Sequence, residues 1–357
     1  MAMKDHSRTG APVIILFCCV LAVLAGLGVY ILCLRFLPEP DSSAVTMDVA
    51  TPAPLRTSAT QAAATPAGES LLVPASDPAP ESERQLSPAG ASFWLDGVLS
   101  TESSYRSPSL SVSVRAVADT RNFQDRVTYY VGDVFVDNVT QIRTESFNGN
   151  FSRTGHGEVA DMARRTDSLL AISGDYYGHH NDSLVIRNGT VHRASLHQSG
   201  DVCLLLRDGT METIRRKNAD LNAILERDPW QAWQFGPSLF NADGSVRTSF
   251  SDSKLRRQNP RTAIGYVEPG HYIFVVVDGR QSHSYGVTLA ELSRLMHSLG
   301  CKVAFNLDGG ASAHFYWNDR IFNHPSKGGR QISDIVYVAK TPFSASPLFH
   351  GKEHNHE

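Results

Sequence analysis

The segment His271–Gly310, "HYIFVVVDGRQSHSYGVTLAELSRLMHSLGCKVAFNLDGG", decides the fold. Its first part is a continuous apolar run, which suits a strand buried on both faces. "GVTLAELSRLMHSLG" then places Leu289, Leu292, Met296 and Leu299 on one helical face. Thr288 and Glu291 form a capping box at the start of this helix, and Gly300 suits its end. "CKVAFNLDGG" follows as a second buried strand. Strand, helix, strand is a βαβ unit, whose strands are normally parallel. An earlier stretch, "EVADMARRTDSLLAISGDYYG", repeats the logic, with a short helix near Glu158–Arg165 and a strand at Leu169–Ser173.

Outward from these units, strand signals dominate. "SLSVSVRAV" alternates, and "RVTYYVGDVFV" is β-branched and aromatic. Turn dipeptides mark hairpins around Asn188-Gly189 and Asp208-Gly209, and "FNADGSV" and "FYWNDRIFN" read the same way. A final strand starts near Ile335. The expected fold class is α/β (mixed α+β): a mixed sheet core with a βαβ unit and several hairpins, preceded by one N-terminal transmembrane helix.

Three apolar strands end in a carboxylate beside glycine, at Asp175, Asp278 and Asp308. In open α/β sheets ligands bind beyond the carboxyl ends of parallel strands. Asp278 and Asp308, from one βαβ unit, are expected on the same edge. Gathered carboxylates can act as acid and base, stabilise an anomeric carbon, or ligate a hard cation. The residues alone leave these uses open. Arg261, Arg280 and Arg330 lie near these strand ends, and a guanidinium suits a phosphate or carboxylate. "GHGEVA" lacks the preceding strand of a dinucleotide site. "GGASAH" has His314 where a nucleophile elbow needs Gly. His179 and His180 read as polar loop residues facing the pocket.

The formal net charge of −3 offers no basic surface for nucleic acid, so no nucleic-acid partner is expected. Cys203 and Cys301 sit in apolar strand contexts and read as buried thiols. Val13–Leu34 is uncharged, apolar almost throughout and long enough to cross a bilayer. The expected organisation is a short cytoplasmic N-terminus at 1–12, a transmembrane anchor at 13–36 and a Pro/Ala/Ser/Thr-rich linker at 37–90. A catalytic domain at 91–341 and a His-containing tail at 342–357 complete it. The expected localisation is the plasma membrane, single-pass, with the catalytic domain outside.

"LLAISGDYYG", "FGPSLF", "NPRTAIGY", "VVVDGRQSHSYGVTLAELSRLM", "KVAFNLDGGASAHFYW" and "RQISDIVYV" occur here in the order seen in one family. The chain resembles the phosphodiester glycosidase family, which includes N-acetylglucosamine-1-phosphodiester alpha-N-acetylglucosaminidases and bacterial relatives associated with exopolysaccharide. The resemblance spans nearly all of Phe93–Lys340. It implies hydrolysis of a sugar-1-phosphodiester to free sugar and phosphomonoester, in cell-envelope or exopolysaccharide metabolism. The partners it implies are that phosphodiester or an envelope glycan, with the membrane reached through the N-terminal helix. No cofactor is required, and a divalent cation is compatible with the carboxylates.

On this reading Asp308 and Asp175 are the catalytic carboxylates, and Asp278 positions substrate or a cation. Arg261 and Arg280 bind phosphate, while Gly174, Asn306, Gly309, Gly310 and Ser312 line the substrate site. Two departures from the family pattern stand out. Ser173 precedes Gly174 where the family has Asn, and Ala311 replaces a Gly. They keep a non-catalytic glycan-binding protein as one alternative. A metal-dependent phosphodiesterase releasing sugar-1-phosphate is the other.

Overall fold

The computed structural model describes residues 85–343, apart from positions 121, 124, 153 and 251–255. Three antiparallel sheets carry the fold. The largest has seven strands in the order Leu99–Ser100, Ser104–Arg106, Leu110–Asp119, Val127–Val136, His271–Val277, Arg261–Glu268 and Val303–Leu307. A second runs Met211–Ile214, Asp201–Leu205, Gln231–Phe235, Val185–Arg187, Thr190–Arg193. The third runs Arg320–Ile321, Phe315–Trp317, Ser168–Ser173, Asp334–Ala339, Ile142–Ser146.

The period-2 geometry of strands explains the layering. Along 271–277, Tyr272, Phe274 and Val276 enter one core, and Ile273, Val275 and Val277 enter another. The first core also receives Leu170, Ile172, Val336 and Val338 from the third sheet, so it lies between two sheets. The second is closed by the helix Leu289–Ser298 through Leu289, Leu292, Leu295 and Met296. The odd residues of the third sheet, Ala171, Ile335 and Tyr337, turn outward onto the helix Val159–Arg165 and its Val159, Met162 and Ala163. A helix therefore covers each outer face of two packed sheets. The continuous apolar runs are explained because both faces of these strands are covered.

The expected hairpins form at Asn188-Gly189 and Asp208-Gly209, and "FYWNDRIFN" turns at Asn318-Asp319 with positive φ at both residues. "FNADGSV" pairs only by a bridge between Phe240 and Val246. The Thr288–Glu291 capping box is present, and Cys203 and Cys301 are buried free thiols.

Two expectations are corrected. Strands 271–277 and 303–307 run parallel, but strand 261–268 lies between them and pairs antiparallel with both. The unit is a split βαβ, and its two carboxylates are separated by the strand that starts at Arg261. The transmembrane part of the expected fold class is also corrected. Among the described residues no helix is long and apolar enough to cross a membrane. Residues 13–36, where the anchor was expected, lie outside the described residues, as do most of the linker and the His-containing tail. The membrane partner and the single-pass plasma-membrane localisation are therefore withdrawn.

Candidate active site

The split unit brings one set of side chains to a common edge. Strands 271–277 and 303–307 deliver Asp278 and Asp308 at their ends, and the antiparallel strand between them begins there with Arg261. A cavity of about 260 Å³ opens at this edge, lined by Arg261, Arg280, Asn306, Asp308, Gly309 and Gly310, with Asn259 at its wall. Six of the ten expected site residues thus share one pocket.

Asp308 is 8 % exposed. Its backbone N–H donates to the Gly174 carbonyl at 2.9 Å, which ties this strand end to the third sheet. Arg330 Nη2 approaches Asp308 Oδ2 at 3.2 Å, and Arg330 Nε donates to Ser312 Oγ at 2.5 Å. Burial pushes the Asp308 carboxyl above the ordinary carboxylate range, while Ser312 and Arg330 pull it back and the Asp175 charge pushes it up. Desolvation wins.

Arg261 is mostly buried and donates from Nε to the Val287 carbonyl at 3.1 Å and from Nη2 to the Arg257 carbonyl at 2.9 Å. Burial, and next the charge of Arg280, pushes its guanidinium down to about 10. Two neighbouring cations in one pocket favour an anionic ligand, whose charge would relieve both. Arg280 is oriented by Asn259, whose Oδ1 accepts from its Nε and Nη2 at 3.2 and 2.9 Å. Asn306 donates from Nδ2 to the Gly236 carbonyl at 2.8 Å, and its buried Oδ1 has no hydrogen-bond partner among the described residues. At Gly309 a Cβ would stand 2.7 Å from the Pro260 carbonyl oxygen, so a side chain there would force the pocket wall apart.

The other expected residues lie apart from this pocket. Asp175 is fixed in the interior: Oδ1 accepts from Arg187 Nη2 at 2.7 Å, and Oδ2 accepts from the Gln234 backbone N–H at 3.1 Å. Arg187 Nη2 also lies 3.8 Å from Asp334 Oδ2. Burial, and next the Asp175 charge, pushes the Asp334 carboxyl well above the ordinary carboxylate range. Gly174 is required here, because a Cβ would stand 2.3 Å from Asp334 Cγ. Ser312 is fully buried, and its carbonyl accepts from Ser173 Oγ. The Ser173 departure from the family pattern therefore binds a strand end to the 310–312 turn.

Asp278 occupies its own cluster. Its Oδ2 accepts from Tyr130 Oη at 3.0 Å and faces His283 Nε2 at 3.1 Å, while Oδ1 accepts from Asn323 Nδ2 at 2.9 Å. Among the described residues two groups offer metal-ligand atoms within 4.8 Å of one another: Asp278, His283 and His324; and His180, Asp182 and His197. Either could hold a divalent cation. Sequence reasoning missed Arg187, Gln234, Asp334, Asn259, Tyr130, His197, His283 and His324; His180 was read only as a polar loop residue facing the pocket. His283 stood in the quoted "DGRQSHS" motif, but its partner His324 is distant in sequence.

The phosphodiester glycosidase family profile matches residues 166–339. Among curated proteins, an uncharacterized SPbeta prophage-derived protein, YomE, of Bacillus subtilis is 29 % identical over 53 % of this chain and 30 % of its own length. Human N-acetylglucosamine-1-phosphodiester alpha-N-acetylglucosaminidase is 26 % identical over 57 % of this chain and 39 % of its own length. The chain thus spans between a quarter and a half of the length of these relatives. Among solved structures, the zebrafish catalytic domain of the same enzyme, auto-inhibited by its pro-peptide, superposes with a TM-score of 0.54 at 19 % identity. That match covers 66 % of this chain and 85 % of the zebrafish one. A hypothetical protein from Synechocystis gives 0.50 at 13 % identity, over 65 % of this chain and 62 % of its own. These structures show a shared fold.

Proposed function

We propose, from the family-level homology of this chain to the phosphodiester glycosidases, that it hydrolyses a sugar-1-phosphodiester to free sugar and a phosphomonoester. The observation that carries this reading is the 260 Å³ pocket, where two guanidinium groups and one buried carboxylate with a raised pKa converge on bare glycine backbone.

Arg261 and Arg280 would hold the phosphodiester anion, and they would stabilise the second negative charge that develops as the phosphomonoester leaves. Asp308 would face the anomeric carbon. Its raised pKa makes its carboxylate a stronger base than an exposed aspartate. Water adds at that carbon, the bond from carbon to the phosphoryl oxygen breaks, and the phosphomonoester departs with the bonding pair. Asp308 takes the proton of the water. A phosphate leaving group is already acidic and needs little protonation, which fits a pocket with one carboxylate on its wall. Asp175 acts as a positioning residue, holding the Gly174 carbonyl to which Asp308 N–H is bound.

The test incubates the full chain with UDP-N-acetylglucosamine and with alkyl phosphodiesters of N-acetylglucosamine, then separates free sugar from sugar-1-phosphate. Free sugar is expected, with turnover falling roughly 10²–10⁴-fold in Asp308→Asn. Sugar-1-phosphate as the product, or unchanged turnover in a folded Asp308→Asn protein, would overturn the proposal.

A further inference from the structure

Asp278 has surroundings unlike those of the other two carboxylates. It is 1 % exposed, yet three hydrogen-bond donors and a fourth polar nitrogen crowd around Oδ2. Tyr130 Oη lies 3.0 Å away, His283 Nε2 3.1 Å, the His324 backbone N–H 3.2 Å and His324 Nδ1 3.6 Å. We propose that Asp278 Oδ2, His283 Nε2 and His324 Nδ1 are the ligands of a first-row transition dication, with Zn²⁺ as the best fit, and that its remaining position is open to solvent.

The spacing supports this first. Zinc bonds of about 2.0–2.1 Å at tetrahedral angles put neighbouring ligand atoms roughly 3.3 Å apart. The two carboxylate-to-imidazole separations, 3.1 and 3.6 Å, bracket that value. All three ligand atoms lie within 4.8 Å of one another, and His324 Nδ1, now 2.9 Å from Tyr130 Oη, would exchange that contact for the metal. Both rings have room to turn, because the His283 and His324 side chains are 40 % and 72 % exposed.

The donor set supports it second. Two imidazoles and one carboxylate suit zinc and its neighbours, whereas calcium and magnesium prefer oxygen alone. The support around the carboxylate is a third point. Ligating carboxylates are normally oriented by outer hydrogen bonds. Here Oδ1 is fixed by Asn323 Nδ2 at 2.9 Å and by the His324 backbone N–H at 3.2 Å, and Tyr130 Oη at 3.0 Å holds Oδ2 beside the histidines. The same loop that supplies His324 thus also clamps Asp278.

The rival cluster lacks these features. There His180 and His197 stack face to face at 3.7 Å, and the carboxylate-to-imidazole separation, Asp182 Oδ1 to His197 Nε2, is 3.9 Å, longer than either separation at Asp278. Beside the Asp278 cluster lies a cavity of about 440 Å³ lined by Gln281, Asn323, His324, Glu158 and His314. It gives the open position room for water or an anionic oxygen.

Metal uptake is read without turnover and needs no step of the glycosidase reading, so either can fail alone. The full chain, stripped with chelator and dialysed, is titrated with Zn²⁺ by calorimetry and with Co²⁺ by visible absorption. One tight equivalent and tetrahedral Co²⁺ bands are expected. Both should be lost, with affinity falling more than about tenfold, in the His283→Ala/His324→Ala double variant. They should persist in His180→Ala/His197→Ala. His350, His354 and His356 are present in every variant, so the comparison assigns the site. Circular dichroism checks that the double variant is folded, which its exposed positions favour. Equal uptake by wild type and a folded His283→Ala/His324→Ala variant, or no uptake by wild type, would overturn the proposal.

Discussion

Replacing Arg187 with methionine removes the cation that sits between two interior carboxylates. The Arg187 side chain has no solvent exposure, and Asp175 and Asp334 lie 2.7 and 3.8 Å from its Nη2. At an effective dielectric of about 20, the longer contact alone is worth roughly 4 kcal/mol if both groups are charged. The raised pKa of Asp334, caused first by burial, offsets part of this cost. Asp175 Oδ2 accepts from the Gln234 N–H, and losing Arg187 removes the partner of its Oδ1. Breaking a buried pair from one side costs about 3–5 kcal/mol, a large share of a typical stability of about 5–15 kcal/mol. The loss should depend on pH. A carboxyl with a raised folded pKa binds more protons folded than unfolded, so stability falls as pH rises from the unfolded value, near 4, through the folded one. Urea unfolding of Arg187→Met, followed by circular dichroism at pH 5 and pH 7.5, should therefore show a larger deficit at the higher pH. Adding Asp175→Asn should recover part of it. A loss under about 1 kcal/mol, or one independent of pH, would refute the argument that this guanidinium neutralises the interior acids.

Other perturbations follow from the same geometry. Gly174→Ala places a Cβ 2.3 Å from Asp334 Cγ and should cost about 1–3 kcal/mol or more in thermal unfolding, because fully buried neighbours have little room to yield. Thr288→Ala removes the capping box of the helix 289–298 and should lower stability by about 1 kcal/mol with no change in the product formed. With Asp308 as the proposed base, its raised pKa means that turnover should fall as pH drops through a value above the ordinary carboxylate range. A pH–rate profile with its acidic limb at an unperturbed aspartate pKa would count against that role. Arg280→Ala should raise KM for a phosphodiester far more than for a neutral glycoside, since Asn259 already orients this guanidinium at the pocket. Equal effects on the two substrates would remove it from phosphate binding.

The sequence by itself determined the local units. Apolar runs at 271–277 and 303–307, the Thr288–Glu291 cap and the Asn188-Gly189 turn each contain their own physical cause within a few residues, and each formed where expected. The ordered motifs around Asp175, Asp278 and Asp308 also carried the family resemblance. Only the tertiary structure decided how those units combine. Nothing local states that strand 261–268 inserts between the two strands of the βαβ unit, because pairing partners are chosen by the packing of whole sheets. That insertion sets Arg261 between Asp278 and Asp308. The carboxylates look alike in sequence, each ending a buried strand beside glycine. They differ in space because their partners come from distant positions: Arg187 and Asp334 for Asp175, Arg330 for Asp308, and Tyr130, Asn323 and His324 for Asp278. A side chain's burial and neighbours fix its charge and its chemistry, and both are properties of the folded chain.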